Sequence, residues 1–217
     1  MTTLFHKVVG SSLVAVVLAL LALIGFGGFF GYQMHQREAK RDQTLEAVVS
    51  NLKIINEQAI IRQIIEDKVG DKLTPDQLSR AAFEFTEGCR RGKVPPHIVF
   101  GIMEVESGFN PEAKNLKAAT PSYGWFQMTL DTAIPLFRTA GEVCTVEKLM
   151  DPVRNLVMGI QTLIDKHDAV MLASKAPADD WTRALWLYNG KGETYSRKIL
   201  EASVKYQKIL EEPLTKK

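Results

Sequence analysis

Residues 8–31, VVGSSLVAVVLALLALIGFGGFFG, carry no charged side chain, although charge is spread through the rest of the 217-residue chain. The run is longer than the roughly 20 residues that cross a bilayer as a helix, and longer than the roughly 7–15 apolar residues in the core of a cleavable signal. An uncleaved membrane anchor is expected, touching lipid through residues 8–31 behind a short tail of residues 1–7. A buried core helix and a signal peptide are the alternatives, but neither an A-x-A-like site in a good context nor a lipobox cysteine follows. Lys7 and the amino terminus precede the run and Arg37, Lys40 and Arg41 follow it. Basic residues favour the cytoplasmic side, so this bias places the carboxyl-terminal part inside, in conflict with the chemistry expected further along.

Residues 32–70 read as a helical stalk, because Leu45, Val48, Leu52, Ile55, Ala59, Ile61, Ile64 and Ile65 recur at intervals of about three and four. Arg62 breaks the seam, and about three heptads is the lower limit for a coiled coil. Self-association, attachment to a secretion or virion complex, and packing of the helix on its own domain all remain open.

Residues 71–212 form the one domain-sized unit, followed by a frayed tail, 213–217. Thr74-Pro75-Asp76-Gln77 is a capping box with proline at the first helical position, and the helix it opens is expected to bury Leu78, Ala82, Phe83 and Phe85. A second helix runs from Pro96 to a stop at Gly108, and further helical patterns cover 130–138, 152–172, 179–188 and 194–210, with turn signals at Gly141, Pro177 and Gly190–Gly192. Residues 110–127 are too irregular for a helix and fit a loop or small hairpin. The expected fold is mainly α with that minor insertion.

Composition removes several function classes. With 27 basic and 25 acidic residues, the net charge of +2 lacks the basic excess of a nucleic-acid binder. Cys89 and Cys144 match no metal-ligand spacing, and the four histidines are scattered, so neither a metal nor another cofactor is expected. Whether the two cysteines bridge depends on geometry.

At 100° per residue, Glu106 shares a stripe with Val99, Ile102 and Met103, whereas Glu104 falls nearly opposite and is expected in solvent. A carboxyl set against apolar neighbours at the negative end of a helix dipole favours its neutral form, as a general acid protonating a glycosidic oxygen requires. On its own, an acidic residue near a helix end is more often a surface group. Around it stand four ordered words: Glu106-Ser107-Gly108-Phe109-Asn110-Pro111 with Ala113; Gly124-Trp125-Phe126-Gln127; Asp151-Pro152 with Asn155; and Ala184 through Tyr188-Asn189-Gly190.

In these words, over about residues 90–205, the chain resembles the soluble-lytic-transglycosylase catalytic domain, whose pattern runs E-S-x-F-x-P-x-A, G-L-M-Q, D-P-x-x-N and A-x-x-x-Y-N-x-G. The resemblance implies a lysozyme-like fold. It also implies cleavage of the β-1,4 bond between N-acetylmuramic acid and N-acetylglucosamine in peptidoglycan glycan strands, leaving a 1,6-anhydromuramyl end. Glu106 takes the place of the single catalytic acid/base. Ser107, Phe126, Gln127, Tyr188 and Asn189 become candidate substrate-binding residues, with Tyr188 expected to orient Glu106 or the sugar. Tyr123 and Trp125 join Phe126 as candidate sugar platforms, while Trp181 and Trp186 are expected in the core.

The chain departs from the pattern at Trp125-Phe126, in a longer interval before Gln127, and at Gly190-Lys191-Gly192-Glu193-Thr194-Tyr195. The family serine between the first two words cannot be placed among Asn115, Thr120 and Ser122. Asn115 stands where inverting phage lysozymes carry an aspartate, which disfavours a hydrolytic muramidase. A glycan-binding or structural component without turnover is the other alternative. Such an activity places the domain in the periplasm on a single-pass inner-membrane anchor or, alternatively, in a phage virion.

Overall fold

The computed structural model describes residues 2–173, 181–190 and 192–212, with side chains from Met34 onward. The side chains of the expected anchor, the Pro177 turn, Lys191 and the 213–217 tail lie outside the described residues. Among the residues whose side chains are described, no helix is long and apolar enough to cross a membrane. The chain divides into two units, Met1–Lys53 and Ile54–Lys217. The first holds the amino-terminal part of helix α1, whose bounds are Thr2–Val69; from Met34 to Lys53 every side chain is exposed, including Leu45, Val48 and Leu52.

In the second unit the last turns of α1 turn inward. Ile60, Ile61, Ile64, Ile65 and Val69 are buried in the core, so this part of the stalk sequence is packed on the domain. A 3-10 turn, Gly70–Lys72, leads to α2 (Pro75–Gly92). The capping box forms: Gln77 N donates to Thr74 Oγ1 at 3.2 Å and Thr74 N to Gln77 Oε1 at 2.9 Å. The buried stripe of α2 is Leu78, Ala81, Ala82, Phe85 and Cys89. Phe83, expected on it, is 51% exposed, because one residue beyond Ala82 it is rotated about 100° out of the stripe.

The remaining helices are α3 (Pro96–Ser107), α4 (Leu130–Thr139), α5 (Val146–Met150), α6 (Pro152–Ala173), α7 (Trp181–Asn189) and α8 (Glu193–Glu211). Between α3 and α4 the irregular segment forms a three-stranded antiparallel sheet in the order β1-β2-β3: Lys114–Asn115, Ser122–Tyr123 and Met128–Thr129. The sequence did not signal α5, which is one turn long and capped by Thr145 Oγ1 at 3.3 Å from Lys148 N. The result is a mainly α-helical fold with a small three-stranded insertion.

The helices pack in two close pairs, α3 on α8 and α2 on α6, with α7 bridging α6 and α8. Glycine sets both approaches. A Cβ on Gly101 would stand 2.7 Å from Ile199 O and 3.2 Å from Ser203 Cβ; one on Gly92 would stand 2.3 Å from Ile164 Cδ1. Phe85, Phe100, Phe109 and Tyr206 fill the space beside α3, with ring centroids 4.5–6.2 Å apart. Each such pair adds about 0.5–1.5 kcal/mol beyond its buried area. Cys89 and Cys144 are free thiols, and burial pushes the Cys89 thiol well up.

Glu104 is not in solvent as its helix position suggested. Its side chain is 32% exposed, and it accepts from Lys205 Nζ and Tyr206 Oη of α8, both at 2.6 Å. Burial raises its pKa, but these two bonds and the charges of Lys205 and Lys68 outweigh that and hold it below the ordinary value.

Gly101→Ala is expected to force α3 off the α8 backbone. The cost should be about 1–3 kcal/mol, read as a lower urea midpoint at unchanged slope.

Candidate active site

The end of α3 places the central carboxyl. Gly108 N donates to Glu104 O at 3.0 Å and Phe109 N to Met103 O at 3.2 Å, a paired closure that needs a left-handed residue, supplied by Gly108 at φ 59°. Phe109, also left-handed at φ 62°, then drops its ring into the aromatic cluster. Helix and cap thus stop just beyond Glu106, whose side chain stands half-buried at the wall of a cleft of about 550 Å3. Ser107 Oγ donates back to Met103 O at 3.0 Å, and Ser107 is not among the residues lining the cleft.

Two donors converge on one oxygen of Glu106. Asn189 Nδ2, at the end of α7, lies 2.8 Å from Oε1, and Tyr195 Oη, from the first turn of α8, donates to the same atom. Oε2 has no hydrogen-bond partner among the described residues. Tyr188 does not reach the carboxyl: its hydroxyl donates to Phe126 O at 3.3 Å and approaches Met128 Sδ at 3.8 Å. Burial first, and then the Glu106 charge, push both the Tyr188 and Tyr195 phenols far up, so each remains a protonated donor. In the sequence Tyr195 stands only at the end of a segment that departs from the family pattern. Its shared stripe with Ile199, Ser203 and Tyr206, all buried on α8, was the signal that it points inward.

Another part of the wall is the turn between β2 and β3. Asn155 on α6 is fully buried and fastens it at both ends: Oδ1 accepts from Phe126 N at 3.0 Å, while Nδ2 donates to Tyr123 O at 2.9 Å and Leu149 O at 3.0 Å. Asp151, beginning the same word, caps α6 by accepting from Arg154 N at 2.8 Å. Gly124 at φ 72° lies so close to Asn155 that a Cβ would meet its amide at 2.5 Å. The Phe126 ring rests on Gly159, where a Cβ would stand 2.1 Å from it, and at 1% exposure it is a core group and not the sugar platform expected of it, although the residue borders the cleft.

Trp125 and Tyr123 are corrected from sugar platforms to core residues. Trp125 is wholly buried with Nε1 donating to Phe109 O at 3.0 Å, and Tyr123 is 8% exposed. Trp181 is buried against His167, with ring centroids 4.0 Å apart, whereas Trp186, also expected inside, is 47% exposed.

Gln127 adopts φ 46°, costly for a residue with a side chain. Its amide holds the turn: Oε1 accepts from Ser122 Oγ at 2.8 Å, and Nε2 donates to Gly124 O at 3.0 Å and Ala113 O at 3.3 Å. Gln127 still lines the cleft, as do Asn115, Thr120 and Ser122, the three competitors for the family serine. Asn115 and Ser122 are opposed in the β1–β2 register.

Beyond Glu106 the wall offers hydroxyls, amides and apolar atoms, including Thr129, Thr132 and Thr162. Asp131 is exposed on α4 and is not part of the wall. Among the described residues Glu106 is the only carboxylate lining the cleft. No group of three or more His, Cys, Asp or Glu among them could hold a metal ion.

A helical domain with one carboxyl at the end of a central helix, facing a cleft walled by a small sheet, has the parts that general acid chemistry on a glycosidic bond requires. The transglycosylase SLT domain model matches residues 84–209, more than half of the chain, and the protein belongs to that family. It is a lytic transglycosylase acting on peptidoglycan. No curated protein matches the chain.

Asn155→Ala would strand the Phe126 N–H and two carbonyls in the interior. It is expected to cost about 2–4 kcal/mol, seen as a lower thermal midpoint, and to reduce turnover as the Gln127 wall loosens.

Proposed function

We propose that Glu106 serves unaided, first as acid and then as base, in cleaving the β-1,4 bond between N-acetylmuramic acid and N-acetylglucosamine. The observation that carries this reading is that Glu106 is the single carboxylate of the cleft wall among the described residues. Hydrolytic schemes with two carboxyl groups need a second one on the far side of the sugar, either to activate water or to attack. In the proposed sequence the Glu106 carboxyl gives its proton to the leaving O4 as the bond from the muramyl C1 breaks. The carboxylate then takes the proton of the muramyl C6 hydroxyl while that oxygen bonds C1. The anhydro ring closes, Glu106 regains its proton and no water is consumed.

Tyr188, Phe126 and Gln127 border the space where the sugars would lie. A wall of neutral donors and acceptors suits uncharged N-acetylated sugars. Asn189, expected to contact glycan, is engaged with the carboxyl, and its role in this reading is to hold Glu106.

Delivery to the wall is assigned to residues 8–31 as a single-pass anchor in the inner membrane, with the domain in the periplasm. The uncharged length of this run and the helical backbone of α1 support the anchor. The orientation rests on where peptidoglycan lies and overrides the weak basic bias after the run.

Peptidoglycan digested with the wild-type protein should yield 1,6-anhydromuramyl ends by mass spectrometry. Glu106→Gln should reduce them by about 100- to 10,000-fold while the circular dichroism spectrum stays unchanged. Reducing ends instead would show hydrolysis, and the absence of products a binding role.

External protease should degrade the catalytic domain in spheroplasts that retain an intact inner membrane. Protection of the domain there would reject the orientation.

A further inference from the structure

Glu104 and Glu106 are two residues apart on α3, and α8 offers a tyrosine to each: Tyr206 to Glu104 and Tyr195 to Glu106. The first pair is tied down on both oxygens, since Lys205 takes Oε1 and Tyr206 takes Oε2. The second is tied on one. Tyr195 and Asn189 both donate to Oε1, and no described residue hydrogen-bonds Oε2.

This asymmetry bears on the reaction. A carboxyl oxygen that accepts two hydrogen bonds has both lone pairs occupied, and a proton placed there would displace one of its donors. The donors themselves are fixed. Tyr195 is 6% exposed, with its ring in the core, and Asn189 leaves α7 at its last residue. They reach Glu106 from two different helices, so the carboxyl can neither turn its plane nor swap its oxygens without breaking one of the two bonds.

We infer that Tyr195 is a positioning residue of the reaction. Together with Asn189 it pins Oε1 of Glu106, so that Oε2 alone carries the proton out to the glycosidic oxygen and accepts it back from the C6 hydroxyl. This rests on the acid-then-base reading of Glu106 given above. One oxygen presented from one place serves both steps, and Tyr195 touches neither sugar nor reacting atoms. Its effect falls on the rate of the bound complex and not on binding.

The comparison that isolates this role is between two hydroxyl deletions on the same helix, made in the full-length protein and assayed on purified glycan strands. Tyr195→Phe should lower kcat by about 10- to 100-fold, the scale of a reacting group misplaced by about 1 Å, with KM within about twofold of wild type. Tyr206→Phe removes the same kind of bond from Glu104; it should lower the thermal midpoint and leave kcat unchanged at temperatures below unfolding. Asn189→Ala, which removes the other donor from a different helix, should also lower kcat, and it provides a second reading should Tyr195→Phe fold poorly. If both Tyr195→Phe and Asn189→Ala keep wild-type kcat, or if Tyr195→Phe loses no more than Tyr206→Phe, the inference is overturned. A wild type that makes no anhydro ends, or a Glu106→Gln variant that still makes them, would instead remove the acid-then-base reading on which it stands.

Discussion

The contact on which the site depends is the crossing of α3 over α8 at Gly101. A hydrogen in place of a side chain lets the α8 backbone approach to where a Cβ would stand 2.7 Å from Ile199 O. Everything near the carboxyl is measured from that point. Glu104 and Glu106 leave α3 about 200° apart and are met by tyrosines eleven residues apart on α8, roughly 16 Å along its axis. One crossing therefore sends one carboxyl to a closed structural cluster and the other to an open cleft. A larger residue at 101 would disturb both, because neither glutamate meets its tyrosine unless the helices touch.

The sheet wall follows a different strategy. Its turn cannot be held by a regular ladder, since each strand of the sheet has only two residues. Buried polar groups do the work: Asn155 satisfies one N–H and two carbonyls, Gln127 satisfies two more carbonyls while accepting from Ser122, and Trp125 satisfies Phe109 O. Among the described residues no buried side-chain polar atom is left without a partner. Such a network fixes a wall in one shape only if complete, because an unpaired buried group costs more than a paired one contributes. That is why Asn155, which does not line the cleft, belongs to the same sequence pattern as the residues that do.

Local structure was legible in the sequence where the signal was local. The Thr74 and Gln77 box, proline at the start of α3, Gly108 at its stop and the apolar face carrying Glu106 all concern residues within one or two turns of each other, and the structure has each. Pairings between distant segments were not legible. Lys205 and Tyr206 lie about a hundred positions from Glu104, and Tyr195 eighty-nine from Glu106, so a helical wheel drawn on α3 alone puts Glu104 in water. The aromatic residues went astray for a related reason. Trp125 sits in a glycine-containing turn that reads as surface, yet Asn155 and Gly159 draw that turn onto α6. Trp186 lies in an apolar word, but on the face of α7 turned away from Ala184 and Leu185, which are buried.

A site that relies on one carboxyl faces a problem that a pair of carboxyls divides between two residues: the same group must be a good donor and then a good acceptor without moving between the two events. Preorganised donors serve such a group best when their geometry requires no rearrangement as charge appears. The phenol of Tyr195 and the amide of Asn189 are both neutral donors, and burial together with the Glu106 charge keeps the phenol protonated. They can therefore face either form of the carboxyl. A lysine or arginine in their place would pair strongly with the carboxylate and oppose its reprotonation. In the proposed acid-then-base sequence, the neutral character of the cage, as much as its rigidity, would let a single glutamate stand on both sides of the reaction.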